Sequence, residues 1–324
     1  MDKRRLGRTD YEITPIGLGC MQFSGSGVGE GFFPPIEART AAEVVGTALK
    51  GGVNWFDTAE MYGRGQSERA LTTALKEHGV APGEVVIATK WTPILRTAAS
   101  VEKTIGDRVD ALQGYPIDLH QIHTAQGNLS PHTAQLAAMA RLRSAGKIAS
   151  VGVSSFSAAQ MERAAAFLEA RGTVLASNQV QINLLNRAIE RNGVLASARR
   201  LGITLIAFSP LRLGILTGKF HQEPERIKSL GRMRRMLVSE YRPSGLRRTA
   251  PLIDELRAIG AAYGVSAAQV ALNWLITYYG DTVVAIPGAS KPHHAAESTA
   301  AMDFRLTEKE TDRLDRLSRQ CGAR

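Results

Sequence analysis

The sequence predicts an α/β protein: a (β/α)8 (TIM) barrel with an N-terminal β-hairpin and long loops at the C-terminal face. Three observations predict it. Short β-branched runs recur along the chain, each preceded by a glycine that ends a helix-like stretch. Strand-like and helix-like stretches alternate, the pattern of a parallel sheet. Eight such units fill 324 residues with no linker or composition break, which favours one closed barrel domain, 1–324, over an open doubly wound sheet.

The elements follow in order. Lys3 to Ile13, with Gly7-Arg8-Thr9-Asp10 in the middle, reads as a hairpin, and Ile16-Gly17-Leu18-Gly19 as the first strand. Gly51-Gly52 precedes Val53–Asp57, Gly79 precedes Val85–Lys90, and Gly114 precedes Ile117–His123. Gly146 precedes Ile148–Val153, Gly172 precedes Val174–Val180, Gly202 precedes Ile203–Phe208, and Gly280 precedes Val283–Ile286. Glycine suits these joints because a helix often ends in a left-handed residue. Helix starts are also marked. Thr40 with Glu43 and Ser157 with Gln160 read as capping boxes, and Ser130-Pro131 as an N-cap with proline at the first helical position. Leu136, Met139 and Ala140 recur at helical spacing. A barrel needs about 250 residues, so the remainder falls in loops, chiefly 24–38 and 212–247.

Composition narrows the function classes. With 44% hydrophobic and 22% charged residues the chain reads as a soluble globular protein. No apolar run approaches the roughly 20 residues of a membrane helix, and no secretory signal is evident. Two cysteines, far apart, fit a reducing cytoplasm and neither a disulfide scaffold nor a metal site. A net charge of +10 favours anionic partners: nucleic acid is one, and a phosphorylated cofactor or plain solubility explains it equally well.

In such barrels the chemistry sits at the C-terminal ends of the strands. The polar residues there are Asp57, Lys90, His123, Ser154-Ser155, Asn178-Gln179 and Ser209, with Tyr62 five residues beyond Asp57. A free tyrosine, near pKa 10, is a poor acid at neutral pH. A lysine cation beside it lowers that pKa, and a carboxylate holds the lysine charged. Asp57, Lys90 and Tyr62 supply these parts, and His123 can orient a carbonyl. Each has a plainer reading: an ion pair, a rim aromatic, a core histidine. His120 and His123, three apart on a strand, face opposite ways and would not share a metal.

These residues resemble the aldo-keto reductase superfamily, in pattern the branch of the channel β-subunits. Asp57-Thr58-Ala59-Glu60-Met61-Tyr62-Gly63 looks like the family's Asp…Tyr segment. Val86–Lys90 looks like its lysine strand and Asp118–His123 like its histidine strand. Gly152–Phe156 and Asn178-Gln179 are similar to its carboxamide-binding segments, and Ile286–Pro292 to its adenosine-phosphate segment. The resemblance implies NADPH-dependent reduction of an aldehyde or ketone, with Tyr62 as general acid, tuned by Lys90 and Asp57, and His123 orienting the substrate. It places Gly19, Met21, Gln22, Asp57, Ser154, Ser155, Gln179, Phe208, Ser209, Pro210, Leu211, Gly214, Lys219, Gly288, Ser290, Lys291, His294, Glu297 and Ser298 at NADPH/NADP+. Ser155 and Ser298 stand where the family often has Asn, and Ile182 where it often has Tyr. The Gly25–Gly29 stretch lacks the strand-turn-helix setting of a dinucleotide motif and reads as part of a first loop.

Residues 225–248 hold eight Lys/Arg and two acids. They read either as a lid over an anionic cofactor or as a solvated loop; the lack of repeated aromatics speaks against nucleic acid. Phe32, Phe33 and Trp91 are expected to wall the pocket for a partly apolar carbonyl compound. Two further readings remain: a nucleotide-binding interaction subunit with little turnover, and a nucleotide-sugar ketoreductase. A homo-oligomer is left open.

Overall fold

The computed structural model describes residues 1–25 and 35–322. Strands β1 (Arg4–Arg5) and β2 (Glu12–Ile13) pair antiparallel as the expected hairpin. Eight strands then pair in parallel in chain order. They are β3 (Leu18–Gly19), β4 (Trp55–Asp57), β5 (Val86–Trp91), β6 (Leu119–Ile122), β7 (Ser150–Ser154), β8 (Leu175–Gln181), β9 (Thr204–Phe208) and β10 (Val283–Ala285). Parallel bridges Ile16↔Ala285 and Gly19↔Gly288 join the two edges, so the sheet closes into a barrel. Closure leaves no free edge to be capped.

Helices follow the strands and cover the barrel: Ala38–Lys50, Gln66–Glu77, His132–Ser144, Ala158–Glu169, Val194–Leu201 and Pro292–Ala300 among them. The glycine joints behave as the sequence implies. Helix Val194–Leu201 ends at Gly202 with φ 63° and ψ 41°, a left-handed turn into β9. Ser157 and Gln160 form the expected capping box. Two helices start elsewhere than their sequence signals suggest. Thr40 lies inside helix Ala38–Lys50, whose N-cap is Glu37, so Thr40 and Glu43 form no capping box. Pro131 rather than Ser130 caps helix His132–Ser144; the Ser130 hydroxyl accepts instead from the Ala98 amide at 2.9 Å.

The apolar interior falls in two layers. One lies between strands and helices. The other fills the barrel with Trp55, Val86, Ala88, Leu119, Ile206 and Val284, and meets Leu6 and Ile13 of the hairpin. The hairpin thus plugs one end, and the Trp55 indole donates to Thr14 O at 2.8 Å as part of that seal. Inward positions alternate along each strand, so above this layer the same rows continue as polar side chains. Among the described residues no single helix is long and apolar enough to cross a membrane.

Candidate active site

The inward row of β4 passes from Trp55 to Asp57, that of β5 from Val86 and Ala88 to Lys90, and that of β6 from Leu119 to Gln121 and His123. Asp57 and Lys90 are 2% and 0% exposed, too buried to be left unpaired. Lys90 Nζ donates to Asp57 Oδ1 and, at 2.8 Å, to Thr58 O. The other carboxylate oxygen, Oδ2, accepts from Gln121 Nε2 at 3.1 Å and Gln179 Nε2 at 2.9 Å. The Lys90 ammonium lies 5.1 Å from the centroid of the Tyr62 ring. Tyr62 meets His123 edge-on, with centroids 5.6 Å apart and planes at 81°.

Electrostatics give each group a definite state. Burial opposes the Lys90 charge, yet Asp57 and then Tyr62 outweigh it and hold its pKa above the ordinary value. Burial also pushes the Tyr62 phenol up; Lys90 pulls it back without overcoming that rise. This corrects the expectation of a lowered tyrosine pKa: desolvation, invisible in sequence, wins. A raised pKa keeps the phenol protonated. Burial, then Lys90, lowers the His123 pKa to about 3, so its imidazole is neutral. Thr92 Oγ1 lies 3.4 Å from His123 Nδ1. His120 is buried on the opposite face, near Arg108 and Thr89, as strand alternation requires.

Asp57, Tyr62 and His123 open on a cavity of about 770 Å³. Gly19, Met21, Gln22, Ser154, Ser155, Gln179, Phe208, Ser209, Pro210, Leu211, Gly214 and Lys219 line it, with Gly288, Ser290, His294, Glu297 and Ser298 from the segment after β10. Lys291 does not line it; it is exposed at the N-cap of helix Pro292–Ala300, though its charge reaches Lys219 and His294. Phe32 and Phe33 lie outside the described residues. Trp91 does not wall the cavity. It neighbours inward Lys90, so it faces the helices, 1% exposed, with its indole donating to Ser100 Oγ at 3.2 Å.

Several lining residues carry no sequence signal. Arg212 and Arg234 line the cavity from the basic segment. Arg212 pairs with Glu240 through two 3.1 Å contacts, and Arg234 donates to Leu213 O and to the Tyr241 hydroxyl at 2.9 Å. Gln121 does carry a sequence signal: it shares the inward parity of His123.

The cavity fits a phosphorylated dinucleotide. Ser155, Ser209, Arg212 and Leu213, all on its wall, have φ between 48° and 60°. Such left-handed non-glycine residues cost free energy and cluster at ligand clamps. Among the described residues buried Gln22 Oε1 has no hydrogen-bond partner, and a Cβ on Gly288 would sit 2.3 Å from the Gln22 amide nitrogen. Burial, then Arg234, Arg226 and Lys291, depress the Lys219 pKa; burial, then His293, Lys219 and Lys291, lower that of His294 to about 4. Crowded cations such as Lys219, Arg234 and Lys291 are relieved by an anion.

The family model described as the aldo/keto reductase family matches residues 15–319. The chain is 35% identical over 311 residues to an uncharacterized oxidoreductase of Mycobacterium bovis, covering 95% of this chain and 90% of that one. It is 32% identical over 284 residues to the chloroplastic pyridoxal reductase of Arabidopsis thaliana, covering 84% and 75%. Among solved structures, glycerol dehydrogenase from Gluconobacter oxydans superposes with a TM-score of 0.80 at 25% identity, covering 98% and 96%. The chain belongs to the aldo/keto reductase family.

Proposed function

We propose that the chain, acting as one domain, is an NADPH-dependent carbonyl reductase in which Tyr62 protonates the carbonyl oxygen. The observation that carries this reading is the arrangement of Lys90, bonded to Asp57 and 5.1 Å from the Tyr62 ring. NADPH, when bound, supplies the hydride for the carbonyl carbon. Tyr62 gives up its phenolic proton as negative charge develops on the oxygen, and Lys90 stabilises the phenolate left behind. Asp57 keeps Lys90 charged and fixed. Neutral His123, held through Nδ1 by Thr92, donates from Nε2 to the carbonyl oxygen and orients it.

Lys219 and Arg234 would hold the diphosphate, Ser290, Lys291 and His294 the 2′-phosphate, and Phe208 would lie against the nicotinamide. Ser154 and Ser155 would meet the carboxamide. Gln179 gives one amide N–H to Asp57, and its carbonyl oxygen and second N–H remain for the carboxamide. Met61, Leu213, Leu237 and Val238 give the cavity an apolar side that suits a small aromatic aldehyde. The name of the Arabidopsis relative, pyridoxal reductase, points the same way. The test is oxidation of NADPH by the purified protein across a panel of aromatic, aliphatic and sugar aldehydes and ketones. Reduction of aromatic aldehydes is expected; no turnover with any carbonyl would leave the subunit reading in its place.

A further inference from the structure

The loop after β9 holds three non-glycine residues in the left-handed region, Ser209, Arg212 and Leu213, all on the cavity wall. Gly214 continues the turn with φ 91°. Such residues cost free energy and persist only where their surroundings over-determine them. Here each is held by a side chain from another part of the chain. Asn183 Nδ2 donates to Ser209 O at 3.0 Å. Arg212 makes two 3.1 Å contacts with Glu240. The Tyr241 hydroxyl donates to Leu213 O at 2.7 Å, and Arg234 Nη2 donates to the same oxygen. Adjacent residues of one short helix, Ser239–Tyr241, thus clasp adjacent residues of the loop.

The clasp is itself fixed. A Cβ on Gly245 would sit 2.6 Å from Glu240 Cα, so glycine lets the following helix, Pro243–Tyr263, press against it. The Tyr241 ring, 5% exposed, meets Phe220 edge-on with centroids 5.1 Å apart. Tyr241 stands behind the wall, and its hydroxyl bears on the cavity through Leu213 and Arg234. Cations gather where the turn bends. A Cβ on Gly214 would meet Lys219 Cε at 3.3 Å and Arg234 Nη2 at 3.6 Å. Two cations beside a glycine turn suit the diphosphate of a dinucleotide. A turn already bent receives it without first losing conformational freedom.

We propose that Tyr241 is a positioning residue for the cofactor: with Glu240 it locks the Arg212-Leu213-Gly214 turn in the shape that receives the diphosphate. The proposal rests on the carbonyl-reductase reading only for the presence of a nucleotide.

Tyr241→Phe tests it, since the substitution removes one hydroxyl and keeps the ring against Phe220. Fluorescence titration should give Kd values for NADPH and NADH that both rise about three- to tenfold, the worth of one neutral hydrogen bond. The ratio between them should hold, because the diphosphate is common to both nucleotides. The slope of Kd against salt should hold too, since no charge is removed. In a single turnover of benzaldehyde at saturating NADPH, hydride transfer should keep its rate. A residue that only stabilised the fold would lower the melting temperature of the free protein and leave both Kd values alone, and that result overturns the proposal. A rise for NADPH alone also overturns it, by moving the effect to the 2′-phosphate, as does a flattened salt slope, by moving it to the charge of Arg234. Nucleotide binding weakened by Tyr241→Phe, without turnover of any carbonyl by the wild type, would overturn the reductase reading alone. A wild type that binds neither nucleotide would overturn both.

Discussion

Gln179 reaches across the barrel from β8 to Asp57 on β4: its Nε2 lies 2.9 Å from Oδ2, bridging 122 residues of sequence. With Gln121 on the same oxygen, it leaves Oδ1 to Lys90. Gln179→Ala should loosen the carboxylate that fixes Lys90. A hydrogen bond to a charged group contributes about 1.5–3 kcal/mol, so kcat should fall roughly 10- to 100-fold if the bond acts mainly in the transition state. Steady-state kinetics check this; an unchanged kcat would show that Asp57 needs no support from β8.

His120 and His123 both have pKa values lowered to about 3, first by burial. The unfolded chain takes up protons on them near the ordinary histidine value, and the folded chain does not. Their stabilising effect is therefore complete above about pH 6.5 and is lost as pH falls towards 3, by about 1.4 kcal/mol per pH unit for each histidine. Urea denaturation between pH 7 and pH 5 should show this slope, and His123→Asn should make it shallower by about half. By the same logic, kcat/KM should show no inflection near pH 6.5.

Lys219 is half-buried among Arg234, Arg226 and Lys291, which burden it with like charge. Lys219→Ala should weaken NADPH binding by about ten- to a hundredfold and flatten its dependence on salt. Lys291→Ala should narrow the gap between NADPH and NADH. Fluorescence titrations with both nucleotides measure each effect; an unchanged NADPH/NADH ratio would remove Lys291 from the 2′-phosphate.

Arg212, on the cavity wall, sits in a left-handed backbone turn, φ 49°, and pairs with buried Glu240 behind it. Glu240→Gln should free this tie and speed NADP+ release several-fold, with little change in the chemical step. Stopped-flow displacement checks it; an unaltered release rate would make the pair purely structural.

Trp91 belongs to the layer between strands and helices. Trp91→Ala should destabilise the fold by about 3–5 kcal/mol, as large core truncations do. Substrate preference should not change. Denaturant melts alongside a small aldehyde panel separate these outcomes.

Much of this architecture is legible in local sequence. The β-branched runs became strands, and Gly202 took the left-handed turn that marks a helix end. Asp57, Lys90, Tyr62 and His123 converge because strand ends converge in a closed barrel. The failures are equally physical. Trp91 stands next to inward-pointing Lys90, and alternation sends the two to opposite faces, so it packs under the helices and not in the pocket. Thr40 and Glu43 matched a capping pattern, but the helix begins earlier at Ala38. Arg212 and Arg234 reach the cavity from short helices, Arg212–Thr217 and Arg232–Leu237, within the stretch the sequence presents as a loop; helices this short carry too little periodicity to be read. The tyrosine pKa depends on burial, which needs the whole fold.

Protonation by Tyr62 is the central claim, and Tyr62→Phe tests it most directly. The substitution removes one hydroxyl and keeps the ring that packs against His123. NADPH oxidation with benzaldehyde should fall by about 100- to 10,000-fold, the usual contribution of a general acid, with NADPH affinity unchanged. Turnover within a few-fold of the wild type would contradict the account.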